Sequence, residues 1–326
     1  MTLRAPKHSR LSLARRLRLQ QLMIFEKVVE AGSILAASVE LAMTQPAVSK
    51  SIHELEDQLG GLLFTRGKRG VTLTEFGSLF ERHAKTLLAD LRYLAEDLNA
   101  SQSGTAGHVV VGTLITASAT LLPEAIMRLR RAAPDVVVTV RVGPNSLLFP
   151  ALARGELDVV VGVLPRAASA GLRKSERARL AHAPLFAEAL RIVVGSQHAL
   201  ARKRKVPLAE LHALEWIVPT QDSVAYPSVR AFFEGAGLAL PGRLIESVSI
   251  LTNLALLTSG PMVALMPQSA AERFVQAGLL AILPFDGLDP YSDVGYTVRS
   301  DRPPTAATER FLAALRDAGR KLQRSP

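Results

Sequence analysis

The stretch GSILAASVELAMTQPAVSKSIHELEDQLGG, residues 32–61, decides the N-terminal fold. Gly32 stops a preceding helix, and Ser33 is placed to cap the next one by accepting a free backbone N–H. The spacing predicts a helix over 34–41, a turn at Ala42 and Met43, and a second cap at Thr44. Pro46 falls in the first turn of the following helix, where its missing N–H does no harm. Val48, Ile52, Leu55 and Leu59 then step by 4, 3 and 4, forming one buried stripe that Gly60-Gly61 ends. That stripe turns Gln45, Pro46, Ser49, Lys50 and His53 outward near the helix N-terminus.

On the N-terminal side, Leu19, Leu22, Met23, Phe25 and Val29 recur at helical spacing and predict a helix over 19–31. On the C-terminal side, LLFTRGKRGVTLT (62–74) reads as two short extended segments around a basic, glycine-flanked tip. This is a two-stranded wing with Arg66, Lys68 and Arg69 at its tip. From Thr74 a long helix runs to about Ser101. Its apolar positions are Leu73, Phe76, Phe80, Ala84, Leu87, Leu91, Leu94 and Leu98, a coiled-coil-like seam with one stutter. At ~1.5 Å per residue such a helix is about 40 Å long, which suits a dimerising linker. The other reading is a long amphipathic helix packed on its own chain.

Three helices and a wing suggest a reader of double-stranded DNA. A recognition helix contacts base edges with its N-terminal residues. Gln45 can pair bidentately with adenine, and the apolar surface of Pro46 and Ala47 suits a thymine methyl. Ser49, Lys50 and the capping groups Ser33 and Thr44 suit phosphate oxygens. The wing residues can reach the flanking minor groove or backbone. The competing reading is a helical interaction module with an ordinary polar face.

SQSGTAG (101–107) has loop composition and marks the main boundary. Beyond it, strand and helix patterns alternate, with strands expected at 108–114, 136–142 and 157–164. A second set follows at 189–195, 215–219, 244–249 and 262–267. The chain returns through a strand at 294–300 and a last helix from Ala306 to Leu322. Alternation of this kind predicts parallel, doubly wound α/β lobes enclosing a cleft. Lobe I is expected over about 107–184 and 288–326, and lobe II over about 185–287. Ligands of open α/β sheets bind outside the carboxyl ends of strands. The candidates there are Thr113, Thr116, Ser118 and Thr120 after the first strand and Asn145 and Ser146 after the second. Thr220, Gln221, Ser247 and Ser249 occupy equivalent places in lobe II. Their hydroxyls and amides suit a sugar or a small acid. Each Ser or Thr could equally be a helix cap that touches no ligand.

The formal net charge of +10 does not by itself mark the DNA-binding part. Residues 1–106 hold 14 Lys/Arg against 11 Asp/Glu, while residues 107–326 hold 25 against 18. The first 18 residues form a basic arm, with six basic residues from Arg4 to Arg18 and no acid. This start lacks the apolar run of a secretory leader, and no stretch reaches the ~20 apolar residues of a membrane helix. A cytoplasmic protein without membrane attachment is expected. The absence of cysteine excludes disulfides, thiolate metal sites and cysteine nucleophiles. No P-loop, dinucleotide fingerprint, nucleophile elbow or zincin motif is present, and the seven histidines show no metal-ligand spacing. Neither a cofactor nor an enzymatic activity is expected. A transported-solute receptor would share the two lobes but not the N-terminal reader.

The ordered series from Leu19 to Gly77 resembles the winged helix-turn-helix of LysR-type transcriptional regulators. The matching residues are Phe25, Val28, Gly32-Ser33, Ala36-Ala37 and Leu41, then Thr44 through Lys50 with Ile52, Leu55-Glu56 and Leu59-Gly60. Leu63-Phe64, Arg66, Leu73-Thr74 and Gly77 complete it. Family members often carry Arg where this chain has Lys50, and Lys keeps the charge but loses the planar fork. GELDVVVG (155–162) and QHALA (197–201) extend the resemblance. It implies a DNA-binding domain over 19–73, a linker helix over 74–106 and an effector domain over 107–326 like a type II periplasmic binding protein. Dimerisation would use Phe76, Phe80, Leu87, Leu91, Leu94 and Leu98. The resemblance also implies a homotetramer, a dimer of dimers, on an interrupted palindrome. A small-molecule effector would change DNA bending and contact with RNA polymerase.

Overall fold

The computed structural model describes residues 9–67, 70–103, 107–114, 117, 119–165, 177–285 and 290–323. Two compact units result, one holding the N-terminal 95 residues and the other most of the remainder.

The N-terminal unit opens with α1 (Arg10–Arg16), inside the stretch read as an arm. Ser9 caps it, and Leu13 and Leu17 pack on the neighbouring core. Then come α2 (Leu19–Ala31), α3 (Ile34–Glu40), α4 (Gln45–Leu59) and the wing strands β1 (Phe64–Gly67) and β2 (Gly70–Leu73). Leu22, Phe25, Val28, Val48, Ile52, Leu55 and Leu63 close a core between them. The Phe25 ring lies 5.3 Å from Phe64 and 5.0 Å from Phe80, the second pair edge to face, a favoured aromatic geometry. The wing folds back where Val71 donates its N–H to the Gly32 carbonyl at 2.9 Å. A side chain at Gly70 would meet that oxygen at 2.3 Å, and Gly70 has φ 124°, so only glycine fits. Ala37 and Ser38 are the buried pair of α3, and Ala36 is exposed.

A 29-residue helix, α5 (Glu75–Ser103), follows. Phe76, Phe80, Ala84 and Leu88 pack into the core of the N-terminal unit.

The second unit is built on one nine-stranded sheet, with β10 paired to β6 beside the path β4-β3-β5-β11-β6-β9-β7-β8. Lobe I contributes β3 (Gly107–Thr113), β4 (Val136–Val142) and β5 (Val159–Val163), with α6 (Leu121–Ala132) and α7 (Asn145–Arg154) between them. Lobe II contributes β7 (Glu215–Val218), β8 (Leu244–Glu246) and β9 (Met262–Pro267). Within each set the strands are parallel. The whole sheet is nevertheless mixed rather than doubly wound. The 16-residue β6 (Leu180–Gly195) and β11 (Pro290–Arg299) run antiparallel to each other, β11 to β5, and β6 to β9 and to β10 (Leu280–Ile282). β6 serves both lobes. Through Ala189 it pairs with β11, and from Leu190 onward with β9. This change of partner lies beyond the boundary expected near residue 184.

The remaining helices are α8 (Leu208–His212), α9 (Tyr226–Gly235), α10 (Ile250–Ser259), α11 (Gln268–Gln276) and α12 (Ala306–Gln323). α12 covers lobe I through Phe311, Leu312 and Leu315, all buried in the main core. In lobe II the buried Trp216 stacks edge to face on Phe233 at 5.0 Å and donates its indole N–H to the Leu211 carbonyl at 2.8 Å. Asp158 is buried, and its carboxylate accepts the Val110 N–H at 2.7 Å, tying β5 to β3. No helix among the described residues is long and apolar enough to cross a membrane.

Candidate nucleic-acid interface and effector cleft

The N-terminal turn of α4 is exposed above a closed core. Thr44 caps it, its hydroxyl accepting the Ala47 N–H at 3.4 Å, and Ser33 caps α3 in the same way at Ala36. Gln45, Pro46, Lys50 and His53 are exposed, while Ala47 and Ser49 are partly covered. Lys50 reaches only to Glu54, at 3.9 Å, with most of its side chain in solvent. His53 lies 3.7 Å from the Glu56 carboxylate, so its ring is drawn toward that acid as well as outward.

Glu56 itself is buried, and sequence reading had assigned it no role. Its Oε1 accepts the N–H groups of Leu63 at 2.7 Å and Phe64 at 3.2 Å. These bonds hold the first wing strand against the recognition helix. Arg66 is exposed on β1, opposite Val71 in the wing pairing. Lys68 and Arg69 lie outside the described residues. The domain thus exposes a helix N-terminus, an amide and the cations Lys50 and Arg66, which is the chemistry of a duplex-binding surface.

The expected seam on α5 divides. Phe76 and Phe80 are partly buried and pack against the core of their own domain. Leu79, Leu87, Leu94 and Leu98 are exposed, the last two by more than half, and Leu91 is partly covered. The seam read from the sequence is one side of the helix, since Leu94 and Leu98 stand five full turns beyond Phe76 and Phe80. Its N-terminal half packs on its own domain, and Leu87, Leu94 and Leu98 are its exposed half, with Leu79 exposed beside it.

In the second unit, strand register shows where a ligand can sit. Val163, at the carboxyl end of β5, pairs with Val294, which pairs with Phe186 of β6. Pro267, at the carboxyl end of β9, pairs with Leu190 of β6. The carboxyl ends of both parallel sets thus converge on residues 186–190, from opposite directions. Of the expected contacts, Asn145 opens α7 and is half-buried, with its Oδ1 enclosed and unpartnered. Ser146 and Gln221 are exposed and Thr220 half-buried. Ser247 Oγ accepts the Ser249 N–H at 3.2 Å, and Ser249 caps α10 by accepting the Thr252 N–H at 3.3 Å. Thr113 is fully buried, and the carbonyls of Val161 and Leu114 accept from its hydroxyl at 3.2 and 3.1 Å. The sheet, not a ligand, occupies it. Thr116 and Ser118 lie outside the described residues.

Glu188, Ser269 and Asn253 were absent from the expected set, whereas Thr120 belonged to it. Glu188, 2% exposed, sits at the point where β6 changes partner. It accepts the Ser269 N–H at 3.1 Å and the Ser269 hydroxyl at 2.6 Å. Burial pushes its pKa up, against the lowering effect of the two Ser269 bonds. Thr120, from lobe I, places its hydroxyl 3.4 Å from that of Ser269. Asn253 donates to the Ser247 carbonyl at 3.4 Å, leaving its Oδ1 enclosed and unpartnered. Glu188 had a sequence signal, as the only acid in strand β6. Asn253, inside an apolar helix, had none. No metal-binding cluster occurs among the described residues.

Comparison with known proteins agrees with both halves. Residues 19–78 match the bacterial regulatory helix-turn-helix proteins of the lysR family, and residues 102–320 match the LysR substrate binding domain. The chain is 32% identical to the transcriptional regulator PcaQ of Agrobacterium fabrum over 94% of its own length and 96% of that protein's. It is also 32% identical to the regulator GbpR of Azospirillum brasilense, over 94% and 88%. Among solved structures, CbnR, a LysR family transcriptional regulator, superposes with a TM-score of 0.68 at 22% identity, covering 93% of this chain and 99% of that one. Full-length OxyR of Pseudomonas aeruginosa gives 0.67 at 24%, covering 92% and 98%. With both domains matched across most of its length, the chain belongs to the LysR family of bacterial helix-turn-helix transcriptional regulators.

Proposed function

We propose that this regulator reads an interrupted palindrome as a dimer of dimers and answers to a small molecule held between its two lobes. The single observation that carries the DNA reading is the exposed first turn of α4, with Gln45, Pro46 and Lys50 free above a sealed core. Gln45 reads a base edge in the major groove, and Ser33, Thr44, Ser49, Lys50 and Arg66 hold the phosphate backbone. The exposed leucines of α5 join two copies, so that the spacing of two recognition helices sets the spacing of half-sites. The chain carries no catalytic role in this reading and works in the cytoplasm, where its DNA is. Effector binding changes the bend of the bound DNA and contact with RNA polymerase.

The test is fluorescence anisotropy on DNA from upstream of the chain's own gene, against shuffled DNA of equal length, across a salt series. A preference for the native fragment with a steep salt slope is expected. Equal binding to both fragments would refute specific readout there.

A further inference from the structure

Among the described residues, those that follow the converging strands offer a ligand acceptors rather than cations. We infer that the effector is an uncharged, hydroxyl-rich molecule of the sugar or polyol class, received by Ser269 and Asn253 of lobe II, with Glu188 fixing the Ser269 hydroxyl. This rests on reading the cleft as the sensory site.

Three observations support it. First, Ser269 directs both its N–H and its hydroxyl hydrogen toward the Glu188 carboxylate. A hydroxyl committed as a donor presents only lone pairs to its other side. The group 3.4 Å away on that Oγ is the Thr120 hydroxyl of the opposite lobe, so the atom already stands at an interlobe contact. Second, the Asn253 amide is oriented by its bond to the Ser247 carbonyl, which leaves Oδ1 as an enclosed acceptor with no donor. Asn145 adds an enclosed Oδ1 without a partner in lobe I. Enclosed acceptors without donors cost free energy until a donor arrives. Third, the described residues that follow the converging strands include no Lys or Arg: 143–146, 164–165, 219–223, 247–250 and 267–269 hold Asp222 as their one charged residue. A carboxylate is normally received by Arg, Lys or a row of donors. Among the described residues it would face Glu188 and a set of acceptors. Ligand hydroxyls, which donate and accept, satisfy the same atoms.

The test uses the full chain. Thermal shift and calorimetry are run with D-glucose, D-galactose and D-mannitol, and in parallel with D-gluconate, D-galactonate and benzoate. Ser269→Ala and Asn253→Leu are measured beside the native protein, and binding to the upstream DNA is recorded for every preparation. The expected result is binding of a neutral compound, weakened roughly tenfold or more in each variant, as for loss of one enclosed hydrogen bond, with DNA binding retained. Binding of a carboxylate instead, binding of no neutral compound, or a neutral compound bound equally by both variants would overturn the inference. Failure of the native protein to prefer its upstream DNA would sink the regulatory reading, and it is seen in a separate measurement.

Discussion

Glu56 and Leu63 are joined by a 2.7 Å hydrogen bond from the Leu63 N–H to a buried carboxylate oxygen, which ties recognition helix to wing. Replacing Glu56 by Ala leaves the N–H groups of Leu63 and Phe64 without that acceptor. The expected loss is about 1–3 kcal/mol of stability, read by urea denaturation. An unchanged midpoint would show that water replaces the carboxylate at no cost.

Gln45→Ala should weaken binding to the specific site by about 1–3 kcal/mol while leaving random DNA nearly unaffected. Competition anisotropy separates the two. Equal losses on both sequences would remove Gln45 from base readout.

Arg66→Ala is a different kind of change. It should lower affinity for all sequences and reduce the magnitude of the salt slope by about 1, the release of one counterion. A slope identical to that of the native protein would place Arg66 away from phosphate.

The covered and exposed halves of the α5 seam can be told apart. Leu94→Glu should break the oligomer with little loss of domain stability, as followed by light scattering. Phe80→Ala should instead destabilise the N-terminal unit, by less than the ~3–5 kcal/mol of a fully buried Phe. If Leu94→Glu keeps its mass in solution, this face is not the contact between copies.

Glu188 should make stability depend on pH. A carboxyl whose pKa is raised on folding binds more protons in the folded than in the unfolded chain between the two values. Stability therefore falls as pH rises from the ordinary value of 4.5 through the higher folded value. Burial is the main cause, with the Ser269 bonds opposing it. Chemical denaturation at a series of pH values should show this decline in the native protein and a smaller one in Glu188→Gln. Parallel profiles would assign the decline to other groups.

The DNA-binding half was legible because local chemistry governs it. Ser33, Thr44, Pro46 and Gly60 are signals whose meaning depends only on neighbours along the chain, and the helices begin and end close to where these residues stand. The sensory half was legible in its strands but not in their directions. The expected segment 189–195 is only the far portion of β6. The nearer portion, LAHAPLFAE, alternates poorly and contains Pro184, because one strand there passes between two lobes instead of lining one core. Thr113 looked like a ligand contact because its position at a strand end is right. Nothing local shows that its hydroxyl turns to Val161. Ser269 and Thr120 lie 149 residues apart, so no spacing rule could bring them together.

The passage of β6 through both lobes has a consequence for truncation. Lobe I is completed by β11, which lies between β5 and β6, and by α12, whose Phe311 and Leu315 are sealed in the main core. A chain stopped after residue 285 would therefore lose an interior strand and its covering helix, not a tail. Lobe II would remain intact in sequence beside a lobe I split open along β5. Loss of the chain beyond residue 285 should be as damaging as a break in the middle of the sheet.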